Sequence, residues 1–258
     1  MNVTALGTNA AYAAPGNACS GWLLQDGGAN VLLDCGTGVL SRLQEFLPLT
    51  AITAIVISHM HADHFFDLVP LRQALQYGPN GNHSQPELYL PPGGTQALHT
   101  VSGVLHPDYA ADFFERVFKM REYRVGEAVQ TGNLEFTFAA GVHYVPAWSM
   151  AARSLDRQGH RVTYTGDTGP SQAVTELAHG SDLLITEATY LSLNEEHGAV
   201  RGHMTAREAG ELAAASGAHR TLLTHQWPHR KPDQALEQAE TVLRGPVASA
   251  QVGASYTV

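Results

Sequence analysis

Six residues constrain this chain more than any other part of it. His59-Met60-His61-Ala62-Asp63-His64 follows directly on the apolar run Ile52-Thr53-Ala54-Ile55-Val56-Ile57-Ser58, so three imidazoles and a carboxylate crowd the mouth of a buried strand. Polar groups packed this densely where water is excluded must find partners. A metal ion is the partner that satisfies all of them together. Residues 59 and 61 point the same way from an extended backbone, whereas 63 and 64 lie past the turn and face elsewhere. The segment is therefore expected to serve two adjacent ions, His59 and His61 sharing one, Asp63 and His64 the other.

The rest of the composition narrows what surrounds such a site. With 258 residues and 44% hydrophobic content the chain can bury one substantial core, and it reads as a single domain over 1–258. The longest uncharged apolar run, Leu47 to Ser58, is too short to cross a bilayer. Met1-Asn2-Val3-Thr4-Ala5-Leu6-Gly7 has no basic segment ahead of an apolar one and reads as an opening strand rather than an export signal, so a cytoplasmic protein with no membrane contact is expected. Two cysteines, Cys19 and Cys35, offer neither a disulfide framework nor a zinc ribbon, and Cys35 behind Val31-Leu32-Leu33-Asp34 reads as a small buried residue. The net charge of −9 provides no general attraction for nucleic acid, although bound cations would reverse the field locally.

Short apolar runs punctuated by Gly and Pro predict mixed strands and helices in two similar halves. The first half should hold strands at 2–7, 20–25, 29–34 and 52–58, a helix at 38–47, a helix at 64–77 stopped by Gly78-Pro79, and the strand Leu88-Tyr89-Leu90. Strands at 134–142, 161–166, 182–187 and 221–224 follow in the second half, with a helix behind Gly169-Pro170. Thr205 and Glu208 predict a capping box for a further helix over 206–216, with Gly217 as its stop. Two packed sheets flanked by helices accommodate this order.

Three of these strands end on a group that can bind a metal. His143 ends 135–142, Asp167 ends 161–166 and His225 ends 221–224. Polar residues at the carboxyl ends of buried strands converge on one rim of a sheet. If Asp167 bridges, they complete two four-ligand sets with the first cluster: His59, His61, His143 and Asp167 on one side, and Asp63, His64, Asp167 and His225 on the other. The remaining histidines, at 83, 99, 106, 160, 179, 197, 219 and 229, lack partner spacing and read as surface residues.

The order and context of His59, His61, Asp63, His64, His143, Asp167 and His225 resemble the metallo-β-lactamase superfamily over nearly the whole chain, and Leu6-Gly7-Thr8 and Leu33-Asp34-Cys35-Gly36-Thr37-Gly38 look like its opening strand-turn segments. The resemblance implies an α/β (α+β) fold, the αββα sandwich of two mixed sheets flanked by helices, with two divalent metal ions. Zinc is the usual ion, and His/Asp sites also take manganese or iron. Thr186-Glu187-Ala188-Thr189 and His203-Met204-Thr205 are similar to the paired Glu and His motifs of the ribonuclease Z branch, which favours phosphodiester chemistry. That branch inserts a long tRNA-gripping arm between the positions matching His143 and Asp167. Here only 23 residues intervene, with Arg153, Arg157 and Arg161 but no glycine- and lysine-rich insertion, so the likeness is to arm-less members.

The reading that follows is a binuclear phosphodiesterase in which a metal-bridging hydroxide, held in part by Asp63, attacks phosphorus. His203, oriented and kept protonated by Glu187, gives the departing oxygen its proton. Asp34 is a candidate support beneath the ligands. A small phosphodiester or nucleotide-like substrate is expected, tRNA is disfavoured, and the resemblance implies a homodimer. Three alternatives share the same residues: a tRNA 3′ processing endoribonuclease, a lactonase or other ester or sulfate-ester hydrolase, and a metal- or nucleic-acid-binding protein without turnover.

Overall fold

The computed structural model describes residues 1–79, 85–156, 158–196 and 198–258, and among these the backbone alone for 109–111. Its strands in chain order are β1 (Asn2–Asn9), β2 (Ala18–Cys19), β3 (Gly21–Asp26), β4 (Ala29–Leu33), β5 (Ala54–Val56), β6 (Glu87–Leu90), β7 (Lys119–Glu122), β8 (Val129–Thr131), β9 (Leu134–Ala140), β10 (Trp148–Ser154), β11 (Arg161–Tyr164), β12 (Leu183–Glu187), β13 (Thr221–Thr224), β14 (Val247–Ser249) and β15 (Ser255–Thr257). The helices are α1 (Val39–Leu43), α2 (Ala62–Phe65), α3 (Leu68–Tyr77), α4 (Gly94–Leu105), α5 (Gln172–Leu177), α6 (Ala206–Ser216) and α7 (Pro232–Glu240).

Two mixed sheets result, in the orders β15-β1-β3-β4-β5-β6-β7, with β2 on β1, and β14-β13-β12-β11-β10-β9-β8. Each is antiparallel in one half and parallel in the other, β4 to β7 in the first and β11 to β14 in the second. Strand periodicity explains the layering. In β4, Val31 and Leu33 face the inter-sheet core with Phe136, Met150, Tyr164 and Ile185, while Leu32 between them packs on Leu43 of α1 and Leu71 of α3. Both faces are therefore buried, which is why these strands read as unbroken apolar runs. Beyond the second sheet, Leu184 lies with Val174 of α5 and Leu212 of α6, and Leu223 with Ala209 of α6 and Ala235 of α7. The layers are αββα, as the resemblance implied.

Two predicted helices are shorter than expected. The one at 64–77 divides into α2 and α3, because Pro70 lacks an N–H and its ring would meet the carbonyl of residue 66 in a continuous helix. Breaking the helix at Phe66-Asp67 puts Pro70 in the first turn of α3, where its missing donor costs nothing. The freed Asp67 accepts from the Leu40 N–H at 2.8 Å. The helix at 38–47 narrows to Val39–Leu43, entered from Gly38 at φ 92°. By contrast α6 has the predicted capping box at Thr205 and Glu208, and Gly217 at φ 65° ends it. Strand β10 was not anticipated: Trp148-Ser149-Met150-Ala151-Ala152-Arg153-Ser154 carries no β-branched residue, and it is made a strand by pairing with β9 and β11 on either side. It fills the interval between His143 and Asp167. Among the described residues no helix is long and apolar enough to cross a membrane. His83, Arg157 and His197 lie outside the described residues; His179, His219 and His229 are exposed as expected, whereas His99, His106 and His160 are half-buried.

Candidate metal centre

The loop after β5 is pinned before it reaches α2. Gly36 lies so close to it that a Cβ there would stand 1.8 Å from the Asp63 carbonyl, and the Cys35 N–H donates to the His64 carbonyl at 2.7 Å. His61 is the N-cap of α2, and Asp63 and His64 occupy its single turn. From the other sheet, His143 follows β9, Asp167 follows β11 and His225 follows β13. All seven residues meet. One donor atom each from His59, His61, His143 and Asp167 lies within 4.8 Å of the others, and the same holds for Asp63, His64, Asp167 and His225. Asp167 belongs to both sets.

Hydrogen bonds on the outer side decide which ring nitrogens face inward. His143 Nδ1 donates to the Gly202 carbonyl at 2.7 Å. His64 Nδ1 donates to Asp34 Oδ2 at 2.7 Å. The Ser58 hydroxyl gives its proton to Asp34 at 2.8 Å and therefore accepts from His59 Nδ1 at 3.1 Å. Likewise the Thr189 hydroxyl donates to Glu187 Oε2 at 2.6 Å and accepts from His225 Nδ1 at 2.9 Å. Four imidazoles are thus left with the Nε2 lone pair pointing into the cluster.

Those lone pairs are pressed together. His59 Nε2 and His61 Nδ1 are 3.1 Å apart, His143 Nε2 and His61 Nδ1 3.0 Å, and His64 Nε2 and His225 Nε2 3.3 Å. The edges of a tetrahedron of nitrogens around zinc are about 3.3 Å, given metal–nitrogen distances of about 2.0–2.1 Å. Asp167 Oδ1 is buried, and once His64 keeps a single proton on Nδ1 against Asp34, the state in which it can bind a metal, Nε2 at 3.3 Å offers this oxygen no donor. Opposed lone pairs and an orphaned carboxylate oxygen fit a pair of divalent cations and little else.

The electrostatics agree. Burial depresses the pKa of His59 well below the ordinary histidine value and lowers those of His61 and His143, so their lone pairs are free. Burial also opposes a charged His64, but Asp167 and Asp34 outweigh it and raise its pKa, so with no cation bound a second proton sits on Nε2 facing Asp167, and a cation entering there displaces it. Burial disfavours the Asp167 carboxylate, yet His225 and His64 beside it hold it well below the usual range.

Glu187 and His203 stand against the cluster on the second sheet's side. His203 Nδ1 lies 3.0 Å from Glu187 Oε1, and its ring stacks on that of His225 at 5.5 Å between centroids. Burial opposes its charged form, but Glu187 prevails and the pKa is pushed up to about 9. Glu187, fully buried, also accepts from the Thr168 and Met204 N–H groups and the Thr189 hydroxyl. Although Glu187, His203 and His225 come within 4.8 Å, those donors saturate the carboxylate, so this trio is a proton network and not a third cation site.

Several supporting groups had no sequence signal. Asp34 had been singled out, and it accepts from Ser58, His64 and the Tyr164 hydroxyl. Thr189, which joins His225 to Glu187, was visible only as part of a motif. The Gly202 carbonyl and the Ala11 N–H, which donates to Asp63 Oδ2 at 2.7 Å, are backbone groups that no residue type advertises. Backbone strain marks the same place: among the described residues the non-glycine positive φ values are 61° at Ala11, 57° at Asp34 and 54° at His225. Such conformations cost about 1–3 kcal/mol each and survive where surrounding contacts over-determine them.

Residues 29–226 match the beta-lactamase superfamily domain, and the chain belongs to that superfamily. Its fold and its histidine–aspartate cluster are those of a metallo-hydrolase. The probable metallo-hydrolase YhfI of Bacillus subtilis is 30% identical over 256 residues, covering 98% of each chain. The crystal structure of the YhfI protein from B. subtilis superimposes with a TM-score of 0.84 at 28% identity, over 99% of this chain and 98% of that one. Ribonuclease Z of Methanothermobacter thermautotrophicus is 29% identical over an alignment of 287 positions, gaps included, which covers 94% of this chain and 92% of the relative.

Proposed function

We propose that this protein is a binuclear metal-dependent phosphodiesterase for small diesters. The observation that carries the reading is the Glu187–His203 pair set against the double ligand cluster, since a hydrolase that expels a poor, alkoxide-like leaving group needs a proton donor beside its metals. His59, His61, His143 and Asp167 would hold one cation, and Asp63, His64, Asp167 and His225 the other. When bound, such a pair supplies Lewis acidity toward the phosphoryl oxygens and lowers the pKa of water toward neutrality.

The chain's own groups then divide the work. Asp63 is aimed by the Ala11 N–H, and Asp34, Ser58, Gly202 and Thr189 hold His64, His59, His143 and His225 in the orientation that turns the lone pair inward. Glu187 occupies His203 Nδ1, so the proton offered to a departing oxygen is the one on Nε2. Zinc is the ion this donor set favours, with manganese or iron as substitutes. The same reading takes the chain as a single domain over 1–258, its location as cytoplasmic and its assembly as a homodimer, the last two measurable by fractionation and by light scattering.

A tRNA-processing role is disfavoured. The M. thermautotrophicus ribonuclease Z aligns over more positions than this chain has residues, so it carries segments this chain lacks. The interval between His143 and Asp167 is taken up by β10 and β11, and two of its arginines are engaged, Arg153 by Glu135 at 2.8 Å and Arg161 by the Leu177 carbonyl at 2.6 Å. Offered bis(p-nitrophenyl) phosphate, an aliphatic lactone and a precursor tRNA, the zinc-loaded protein should turn over the diester well, the lactone poorly, and the tRNA slowly and without a specific cut. Lactone hydrolysis exceeding diester hydrolysis would move the reading to carbonyl chemistry, and accurate 3′ trailer removal would move it to tRNA.

A further inference from the structure

Three of the four groups that turn the histidines inward are buried side chains, Asp34, Ser58 and Thr189. The fourth, behind His143, is the main-chain carbonyl of Gly202. Glycine restricts its own backbone less than any other residue, so nothing in Gly202 itself aims that carbonyl. The next residue is His203. Whatever fixes Gly202 therefore acts on a ligand of one cation and on the proton donor together.

Glu196 is placed to do this. It lies in the segment that joins β12 to α6, directly after a single turn at Leu193–Glu195. Glu195 anchors that turn by pairing with Arg230, whose guanidinium also donates to the Thr189 carbonyl at 3.0 Å. From this post Glu196 reaches Gly202. Its Oε2 accepts the Gly202 N–H at 3.1 Å, while its Oε1 accepts the Gly198 N–H at 3.1 Å and the Tyr144 hydroxyl at 2.5 Å. Tyr144 follows His143, and its ring presses on Gly202 so closely that a Cβ there would stand 2.6–2.8 Å from three ring carbons. The same ring lies 4.9 Å from that of His143 and 5.6 Å from that of His203, between centroids. One carboxylate thus grips Gly202 twice, by its N–H and through the tyrosine laid against it. All three donors are neutral, and a charged acceptor makes each bond about twice as strong as a neutral one would.

We propose that Glu196 is a positioning residue: by fixing Gly202 directly and through Tyr144, it aims His143 at the cation shared with His59, His61 and Asp167 and sets His203 against the leaving group. The first effect rests on the ligand sets alone, the second on the phosphodiesterase reading.

Competition with a chromophoric chelator measures the zinc affinities. Asp63→Ala should retain only the ion of His59, His61, His143 and Asp167, which isolates the site concerned. On that background Glu196→Ala should weaken the remaining ion by about 10–100-fold, and in the otherwise wild-type chain it should weaken one ion of the two. Glu196→Gln keeps an acceptor for the Gly202 N–H and should restore most of the affinity. Tyr144→Phe removes one hydrogen bond and should cost about two- to tenfold at the same ion. Turnover supplies a second readout, since Glu196→Ala should steepen the dependence of kcat on leaving-group pKa. Unchanged affinity, or equal weakening of both ions, would overturn the assignment, because a segment with a merely structural role loses thermal stability without singling out one ion. Should Glu196→Ala fail to fold, Tyr144→Phe decides by the same criterion. If the zinc pattern holds while no diester is hydrolysed, the positioning of His143 stands and the phosphodiesterase reading fails. If diesters are hydrolysed and the pattern is absent, the reverse holds.

Discussion

The two sheets furnish the metal centre in opposite ways. From the first sheet, four candidate ligands arrive on one loop of six residues, His59 to His64, and the buried carboxylate of Asp34 orients two of them, His64 directly and His59 through Ser58. From the second sheet they arrive one per strand end, at His143, Asp167 and His225, the two histidines each with its own support, and the Glu187–His203 pair lies beside them. One half is a local motif with a shared foundation. The other exists only because parallel strands bring distant residues to one rim, and Asp167 is where the halves join.

The largest effect should come from cutting that joint. Asp167→Ala is expected to empty both cation sites and lower diester turnover by about a thousandfold or more, whereas Asp63→Ala should cost one ion. Elemental analysis of protein loaded in excess zinc reads this directly. A full ion retained in Asp167→Ala would mean the halves are independent.

Next in size is the proton donor. His203→Ala should keep both ions yet lose about a hundred- to ten-thousandfold on an alkyl leaving group, and far less on p-nitrophenolate, which departs unprotonated. Equal losses on both substrates would remove His203 from that role, and loss of metal would reassign it as a ligand.

The supports sharpen the comparison further. Asp34→Ala removes the acceptor that orients His64 and should weaken metal binding by about 10–100-fold while leaving the leaving-group dependence of the rate intact. Thr189→Val, by contrast, frees both His225 and Glu187, so it should weaken binding and steepen the dependence on leaving-group pKa together. If the two variants gave the same pattern, the proposed asymmetry between the halves would be wrong.

The smallest effect concerns the helix behind His203. Thr205→Ala removes one half of the capping box of α6 and should cost about 1 kcal/mol in thermal or urea unfolding. Glu208, the other half, has burial working against its charge, but Arg201 and the Thr205 N–H outweigh this and hold its pKa below the ordinary 4.5. A depressed carboxylate stabilises above its unfolded value and loses that contribution as pH falls through its folded one. The Tm gap between wild type and Glu208→Gln should therefore be widest near neutrality and close as pH falls below about 4.5. A gap independent of pH would show that the charge contributes nothing.

Legibility followed the same division. The HxHxDH loop was readable because its ligands are sequence neighbours. His143, Asp167 and His225 were readable because each ends an apolar run, a strong signal in strands buried on both faces. Strand β10 escaped because an alanine- and serine-rich segment has no strand preference of its own and takes its conformation from β9 and β11. The division of the 64–77 helix turned on one proline whose position within the helix depends on where the helix starts.

By itself the sequence determined which groups are available, the order in which strands deliver them, the capping of α6 and a pair of packed sheets flanked by helices, since these depend on residue type and on periodicities of two and 3.6, while the αββα order of the layers came with the family resemblance. Only the tertiary structure decided which nitrogen of His59, His64, His143 and His225 faces the cluster, and that Thr189 ties His225 to Glu187. The reason is physical. A tautomer is set by whatever acceptor lies behind the ring, and for His64, His225 and His143 those acceptors are a carboxylate, a hydroxyl and a carbonyl 30, 36 and 59 residues away, brought into place by the packing of two sheets and not by any local preference of the chain.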